Sequence, residues 1–262
     1  MTDLAITRGA LERSYDAIEA LCARMDEAEW RVQSLCPEWT ARDVVNHLAM
    51  MERAMTGWLP SSTEELPHFE RVFSGDDEVA ALSNKAFADL VTEIFAARRD
   101  DLARLTAADL DRPSWTPVGV KTFGRFLEIR IFDFWVHERD ITTPLGWPTD
   151  DTGPGAEIAL AEVVGSLGYI VGKRVGFPDG TSIVFHLTGP LKRDLSVVVE
   201  GRAKLVDHVD QPDVELTTDF LTFMQLACGR IDPQDQIDAG KVTWIGNDEL
   251  GDRAARNLSF TM

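Results

Sequence analysis

His47, Asp133, His137 and Asp140 are the residues of this sequence whose types and spacing could do chemistry. In "RIFDFWVHERDI", Asp133 and His137 stand four positions apart and Asp140 follows three later. On a helix of about 3.6 residues per turn these side chains share one stripe, with Arg130 a turn before Asp133. A carboxylate and an imidazole at that spacing can both reach one metal ion. Alone, such a pair more often forms an ordinary ion pair on a wet face. "WTARDVVNHLAMMERA" supplies His47 among Val44, Val45, Leu48 and Met51. A single histidine in an amphipathic helix is usually a core or boundary residue. Three metal-competent side chains on two helices, however, suffice for a zinc site that keeps an open position. His68, His186 and His208 fall in loop or strand contexts without comparable neighbours.

The elements that must position these residues follow from apolar spacing. Leu4, Leu11, Tyr15, Ile18, Leu21, Cys22 and Met25 predict a first helix over 4–30. Thr40 is the expected N-cap of a second helix, Ala41 to Leu59, with Asp43 as its capping-box partner. A polar loop with two prolines spans 60–77. A third helix is expected over 77–105, a connector over 106–119, and a fourth helix over 121–142. Four amphipathic helices joined by loops predict a four-helix bundle.

"PLGWPTDDTGPG", residues 144–155, reads as a linker. The texture then changes. A helix is expected over 156–175. "TSIVFHL" and "DLSVVVE" read as a hairpin around "TGPLKR", and "DVELTT" and "KVTWIG" as strands. "DFLTFMQLACG" reads as a helix ended by Gly229, and "NDELGDRAARNL" as a last helix capped by Asn247. No regular βαβ alternation is present, so this half is α+β. The expected domains are 1–148, a helical bundle, and 149–262, a smaller mixed domain.

The chain has 262 residues and a formal net charge of −18. So acidic a surface repels nucleic acid and anionic membranes, both of which need basic patches. No apolar run is expected to reach the roughly 18 residues of a membrane span, and no signal-peptide pattern opens the chain. Cys22, Cys36 and Cys228 are odd in number and widely spaced, which argues against a disulfide framework and for a reducing cytoplasm. None of the three accompanies the candidate ligands in sequence, so a thiol nucleophile is expected to come from outside the chain.

"WTARDVVNHLA" followed by "RIFDFWVHERDI" resembles the metal-binding bundle of the DinB-like superfamily, in the actinobacterial branch that includes the mycothiol-dependent maleylpyruvate isomerase family. Its pattern is a W-[ST]-x-x-D-x-x-x-H helix and a later [ED]-x-x-x-H-x-x-D helix. The resemblance implies His47, Asp133 and His137 as ligands of a divalent metal, zinc by the chemistry of the set. The family usually has Glu where this chain has Asp133. Asp140 matches the last acid of the pattern and is a candidate partner for an imidazole N–H or for substrate. "GPLKRDLSVVVEGRAKL", "ELTTDFLTFMQLACGR" and "KVTWIGNDELGDRAARNL" resemble the sterol-carrier-protein-like accessory domain fused to such bundles. There the resemblance implies Arg230 as a candidate for holding a substrate carboxylate.

The reading that results is a metal-dependent enzyme that uses mycothiol for isomerisation or S-transfer on a small electrophilic substrate. As an isomerase, the thiol adduct would rotate about the former double bond and expel the thiol; as an S-transferase, the thiol would stay on the product. A metal-dependent hydrolase with the same ligands, and a non-catalytic small-ligand-binding or regulatory module with a modified metal site, remain as alternatives.

Overall fold

Asp3, Thr40, Ser83 and Thr122 begin four long helices, and each side chain accepts a hydrogen bond from a backbone N–H of the first turn. A cap of this kind stabilises a helix by about 1 kcal/mol. The structure, a computed structural model, describes residues 2–73 and 76–260. The chain folds as two compact units, Met1–Thr149 and Asp150–Met262.

In the first unit the elements run α1 (Leu4–Arg24), α2 (Ala41–Met55), α3 (Glu70–Phe73), α4 (Asp76–Ala80), α5 (Asn84–Arg104), α6 (Ala107–Leu110), the short strands β1 (Pro113–Ser114) and β2 (Lys121–Thr122), and α7 (Phe123–Leu145). Helix α1 packs on α5 and α7, and α2 packs on the same two, so the four long helices close a bundle. Its core includes Tyr15, Leu48, Phe95 and Phe134, all essentially inaccessible to solvent. The Tyr15 ring stacks on Phe95 at 4.7 Å and meets Phe134 edge-on at 5.3 Å.

Several predicted bounds shift, each for a local reason. Helix α1 stops at Arg24 instead of 30, because the Asp26 carboxylate accepts from the backbone N–H groups of Ala28 and Glu29 and starts a separate 3-10 turn, Glu29–Arg31. Helix α2 stops at Met55 instead of Leu59, just before the left-handed turn at Gly57, φ 73°. The predicted third helix is two, because Ser83 restarts the chain as the cap of α5. The predicted polar loop holds the short helix α3, and its Ser74 and Gly75 lie outside the described residues. Helix α7 runs on through Pro144 to Leu145 and ends at left-handed Gly146, which shortens the linker. Strand β1 falls inside the predicted connector, and its partner β2 takes the first two residues of the predicted fourth helix, which starts at Phe123 after its cap Thr122.

In the second unit, α8 (Gly153–Tyr169) continues into a π-helical segment, Ile170–Val175. Strands β3 (Ser182–Thr188), β4 (Arg193–Glu200), β5 (Arg202–Val206), β6 (Val214–Asp219) and β7 (Val242–Gly246) form one sheet in the order β5-β4-β3-β6-β7. The predicted hairpin is β3–β4, antiparallel; β3 and β6 run parallel, and the other pairs are antiparallel. Strand β5 and helix α10 (Pro233–Asp238) were not predicted, whereas α9 (Phe220–Ala227) and α11 (Asp248–Arg256) were. The expectation that no segment is long and apolar enough to cross a membrane needs correcting, since Gly153–Val175 passes by length and composition. That helix packs on β4, β5 and α9 and buries Ala156, Ala159, Leu160, Val163 and Leu167, which accounts for its apolarity as core. At Gly168 the fit to β5 is so close that a Cβ would lie 2.9 Å from the Ala203 carbonyl oxygen.

Candidate metal centre

Helix α2 contributes His47, and the facing helix α7 contributes Asp133 and His137. Asp133 Oδ2 is 3.3 Å from His47 Nε2, and Asp133 Oδ1 is 3.4 Å from His137 Nε2. One ligand atom from each of the three residues lies within 4.8 Å of the others. A tetrahedral zinc site with bonds of about 2.0–2.1 Å separates its donors by about 3.3–3.4 Å, so the donor set fits a divalent cation. His47 and Asp133 remain accessible, with side chains 29% and 26% exposed. A cleft of about 620 Å³ lies against His47, lined also by Trp39, Arg42, Asn46, Met50 and Met51.

The other ring nitrogen of His137 is occupied. Nδ1 is 2.8 Å from Asp140 Oδ2, and Asp140 is buried. A carboxylate there accepts the Nδ1–H, which fixes the tautomer and turns Nε2 toward His47 and Asp133. Burial by itself would lower the pKa of His137. The carboxylates of Asp133 and Asp140 outweigh it and hold the imidazole well above its ordinary value. For Asp133, burial pushes the carboxyl up, but the Arg130 guanidinium and His137 win and hold it well below its usual range.

Two neighbours of the cluster were not foreseen from sequence. Cys36 donates its S–H to Asp140 Oδ2 at 3.1 Å and lies 3.7 Å from His137 Nδ1. Cys36, His137 and Asp140 are all buried, and they form a second group whose ligand atoms lie within 4.8 Å of one another. Its contacts are those of hydrogen bonds among buried groups, whereas His47 of the first group lines the cleft. A cysteine of this chain therefore does accompany the ligands, in space though not in sequence. Trp39 covers the other side, its ring centroid 5.3 Å from that of His47 and 6.1 Å from that of His137.

Behind Asp133 a buried ion network ties all four long helices together. Arg130 Nη1 donates to Asp133, and its Nε donates to Glu52 at 3.1 Å. Glu52 also accepts from Arg98 Nε at 2.8 Å and from the Tyr15 hydroxyl at 2.7 Å. Burial favours neutral Glu52, but Arg98 and Arg130 override it and keep the carboxyl below its ordinary value. The middle ligand is thus held from behind by a guanidinium that is itself anchored. The remaining sequence candidate, Arg230, follows α9 in the second unit, where its Nη1 donates to the Cys228 carbonyl at 3.0 Å.

Fold and cluster together define the class: a four-helix bundle with an imidazole–carboxylate–imidazole group on two facing helices, followed by an α+β unit. The family model described as the mycothiol maleylpyruvate isomerase N-terminal domain matches residues 11–142, half of the chain. This chain belongs to that family. A crystal structure of a histidine-to-alanine mutant of the mycothiol-dependent maleylpyruvate isomerase superposes with a TM-score of 0.60 at 17% identity, covering 92% of each chain. The unmutated isomerase gives 0.55 at 18% identity and the same coverage. At these identities the likeness is one of fold. Sterol Carrier Protein 2 from Yarrowia lipolytica, in its apo form, covers 42% of this chain at a TM-score of 0.28, too low to carry an argument. No curated protein matches.

Proposed function

We propose that this chain is a metal-dependent enzyme that uses mycothiol for isomerisation of, or S-transfer (addition of the intact thiol) to, a small electrophilic substrate, in the manner of a maleylpyruvate isomerase. The observation that carries the reading is the convergence of His47, Asp133 and His137 within 4.8 Å at the edge of a cleft. Membership in the mycothiol maleylpyruvate isomerase family supports the thiol. His47 Nε2, an Asp133 oxygen and His137 Nε2 would hold the cation, zinc by the chemistry of the set. When bound, such a cation lowers the pKa of a coordinated thiol.

The chain's own groups do the rest. Asp140 orients His137, and Arg130 orients Asp133. The cleft beside His47 receives the small reactants. Arg230 is our candidate for pairing with a substrate carboxylate, because its planar fork matches one. The second unit is read as a sterol-carrier-protein-like accessory domain, with no implication of lipid carriage. We place the protein in the cytoplasm, where low-molecular-weight thiols are reduced.

Elemental analysis of protein purified without chelator is expected to find about one divalent metal per chain, and His47→Ala and His137→Ala to abolish it. Turnover of an electrophilic substrate should require added mycothiol, and product analysis then separates isomerisation from S-transfer. A metal-free protein would overturn the reading, and turnover that needs metal but no thiol would replace it with hydrolysis by activated water.

A further inference from the structure

The connector between α1 and α2 is built to a specific shape. Gln33 Nε2 donates to the carbonyls of Ser34, Cys36 and Trp39, at 3.1, 2.8 and 2.9 Å. Ser34 Oγ accepts from Cys36 N at 3.1 Å, and Ser34 N donates to Trp39 O at 2.9 Å. Glu38 takes a left-handed φ of 65°, the one non-glycine residue to do so among those described. Such a backbone persists only where its surroundings over-determine it.

The turn is fastened to α7 at a point that Pro144 creates. Residue 144 lies four positions after Asp140 in α7, and a proline has no N–H to give the Asp140 carbonyl. That carbonyl instead accepts Leu35 N at 3.0 Å. The next residue, Cys36, is thereby delivered to the Asp140 carboxylate, where its S–H shares Oδ2 with His137 Nδ1.

We infer that Cys36 is a positioning residue of the metal centre: its thiol, set by the Gln33–Trp39 turn docked on α7, holds the Asp140 carboxylate in the orientation that presents His137 Nε2 to the metal. The inference rests on the His47–Asp133–His137 reading of the site. Neither family pattern contains Cys36, and its partner is 104 residues away in sequence. The thiol acts through Asp140 and need never touch substrate.

The test compares the intact chain with Cys36→Ala, which removes the donor, and Cys36→Ser, which keeps a shorter one. Zinc alone is the probe, its affinity read by competition with a chromogenic chelator. Losing an outer hydrogen bond behind a ligating histidine typically weakens metal binding by 10- to 100-fold, so Cys36→Ala is expected to weaken zinc binding by about ten-fold and Cys36→Ser to recover most of that. Pro144→Ala, which offers Asp140 an N–H from its own helix, should weaken binding in the same direction with Cys36 intact. Unchanged affinity in Cys36→Ala overturns the inference, as does an equal loss in the Ser variant, which would mark packing. Long-range 1H–15N NMR of the metal-free protein separates this from the metal reading itself. If the parent binds no zinc, the metal reading fails; a His137 Nδ1–H signal that is hydrogen-bonded and slow to exchange in the parent and exchanges faster in Cys36→Ala still supports the positioning of Asp140 against His137, and an unchanged signal overturns it.

Discussion

Glu52→Gln removes one negative charge from the centre of the bundle while nearly preserving shape. The carboxylate accepts from Tyr15, Arg98 and Arg130, at 2.7, 2.8 and 3.1 Å, and the residue is 1% exposed. Arg98 and Arg130 are 2% and 6% exposed, so neither can turn to water when its partner goes. A carboxamide can accept from one guanidinium at most, and its NH2 then faces the other donor. Breaking a buried ion pair by deleting one partner costs about 3–5 kcal/mol. Against a typical domain stability of about 5–15 kcal/mol, the variant should fold but with a large deficit. Six of the seven tryptophans, Trp30, Trp39, Trp58, Trp115, Trp135 and Trp147, lie in the first unit, so urea unfolding followed by tryptophan fluorescence reports chiefly on this bundle. The pH dependence follows from the direction of the shift. Glu52 is held below its ordinary value near 4.5, so its contribution is fully present above that value and is lost as pH falls through the lower folded-state value. The gap between parent and Glu52→Gln should therefore be widest near neutral pH and close in acid. A deficit below about 1 kcal/mol, the net worth of one ordinary hydrogen bond, or a gap that stays constant into acid, would refute the charge argument.

In the second unit, His186 bridges Asp194 at 2.8 Å and Glu215 at 2.9 Å across neighbouring strands. Burial tends to lower its pKa, but the two carboxylates prevail and raise it above the ordinary 6.5. A raised histidine stabilises the fold most below its unfolded value and loses that contribution as pH rises through its folded value. An NMR titration should therefore place His186 above 6.5, and Asp194→Asn should bring it down; a parent value at or below 6.5 contradicts the bridge. Gly168→Ala tests the seam between α8 and β5. Helix propensity favours alanine over glycine by about 1 kcal/mol, so stabilisation is the naive expectation. Here a Cβ would lie 2.9 Å from the Ala203 carbonyl oxygen, and overpacking of this kind costs about 1–3 kcal/mol. A net loss in thermal stability is expected, and a gain would show that the seam can open without strain.

Much of the fold is local information and was legible in the chain. Thr40 and Asp43 form both bonds of a capping box because residues three apart meet at a helix start. Asn247 caps α11 and left-handed Gly229 follows α9 for equally short-range reasons. Where bounds were misjudged, a competing local group intervened: Asp26 opened a new turn after α1, and Ser83 restarted the chain inside an apolar pattern that looked continuous. Strand β5 escaped because "RAKLV" alternates weakly and lies mostly exposed at the sheet's edge.

The site divides along the same line. That Asp133, His137 and Asp140 share a stripe follows from helical spacing alone, so the sequence by itself determined that α7 carries an acid, an imidazole and an acid on one side. Helix packing decided the rest. His47 reaches Asp133 across 86 residues and Cys36 reaches Asp140 across 104. Tyr15, Glu52, Arg98 and Arg130 meet from four helices, though in the chain each is an unremarkable polar residue beside apolar ones. Helical period constrains neighbours within a turn or two, whereas contacts between helices depend on how whole faces interlock. Only the tertiary structure could therefore decide that a cysteine stands behind the histidine and that an anchored arginine stands behind the aspartate.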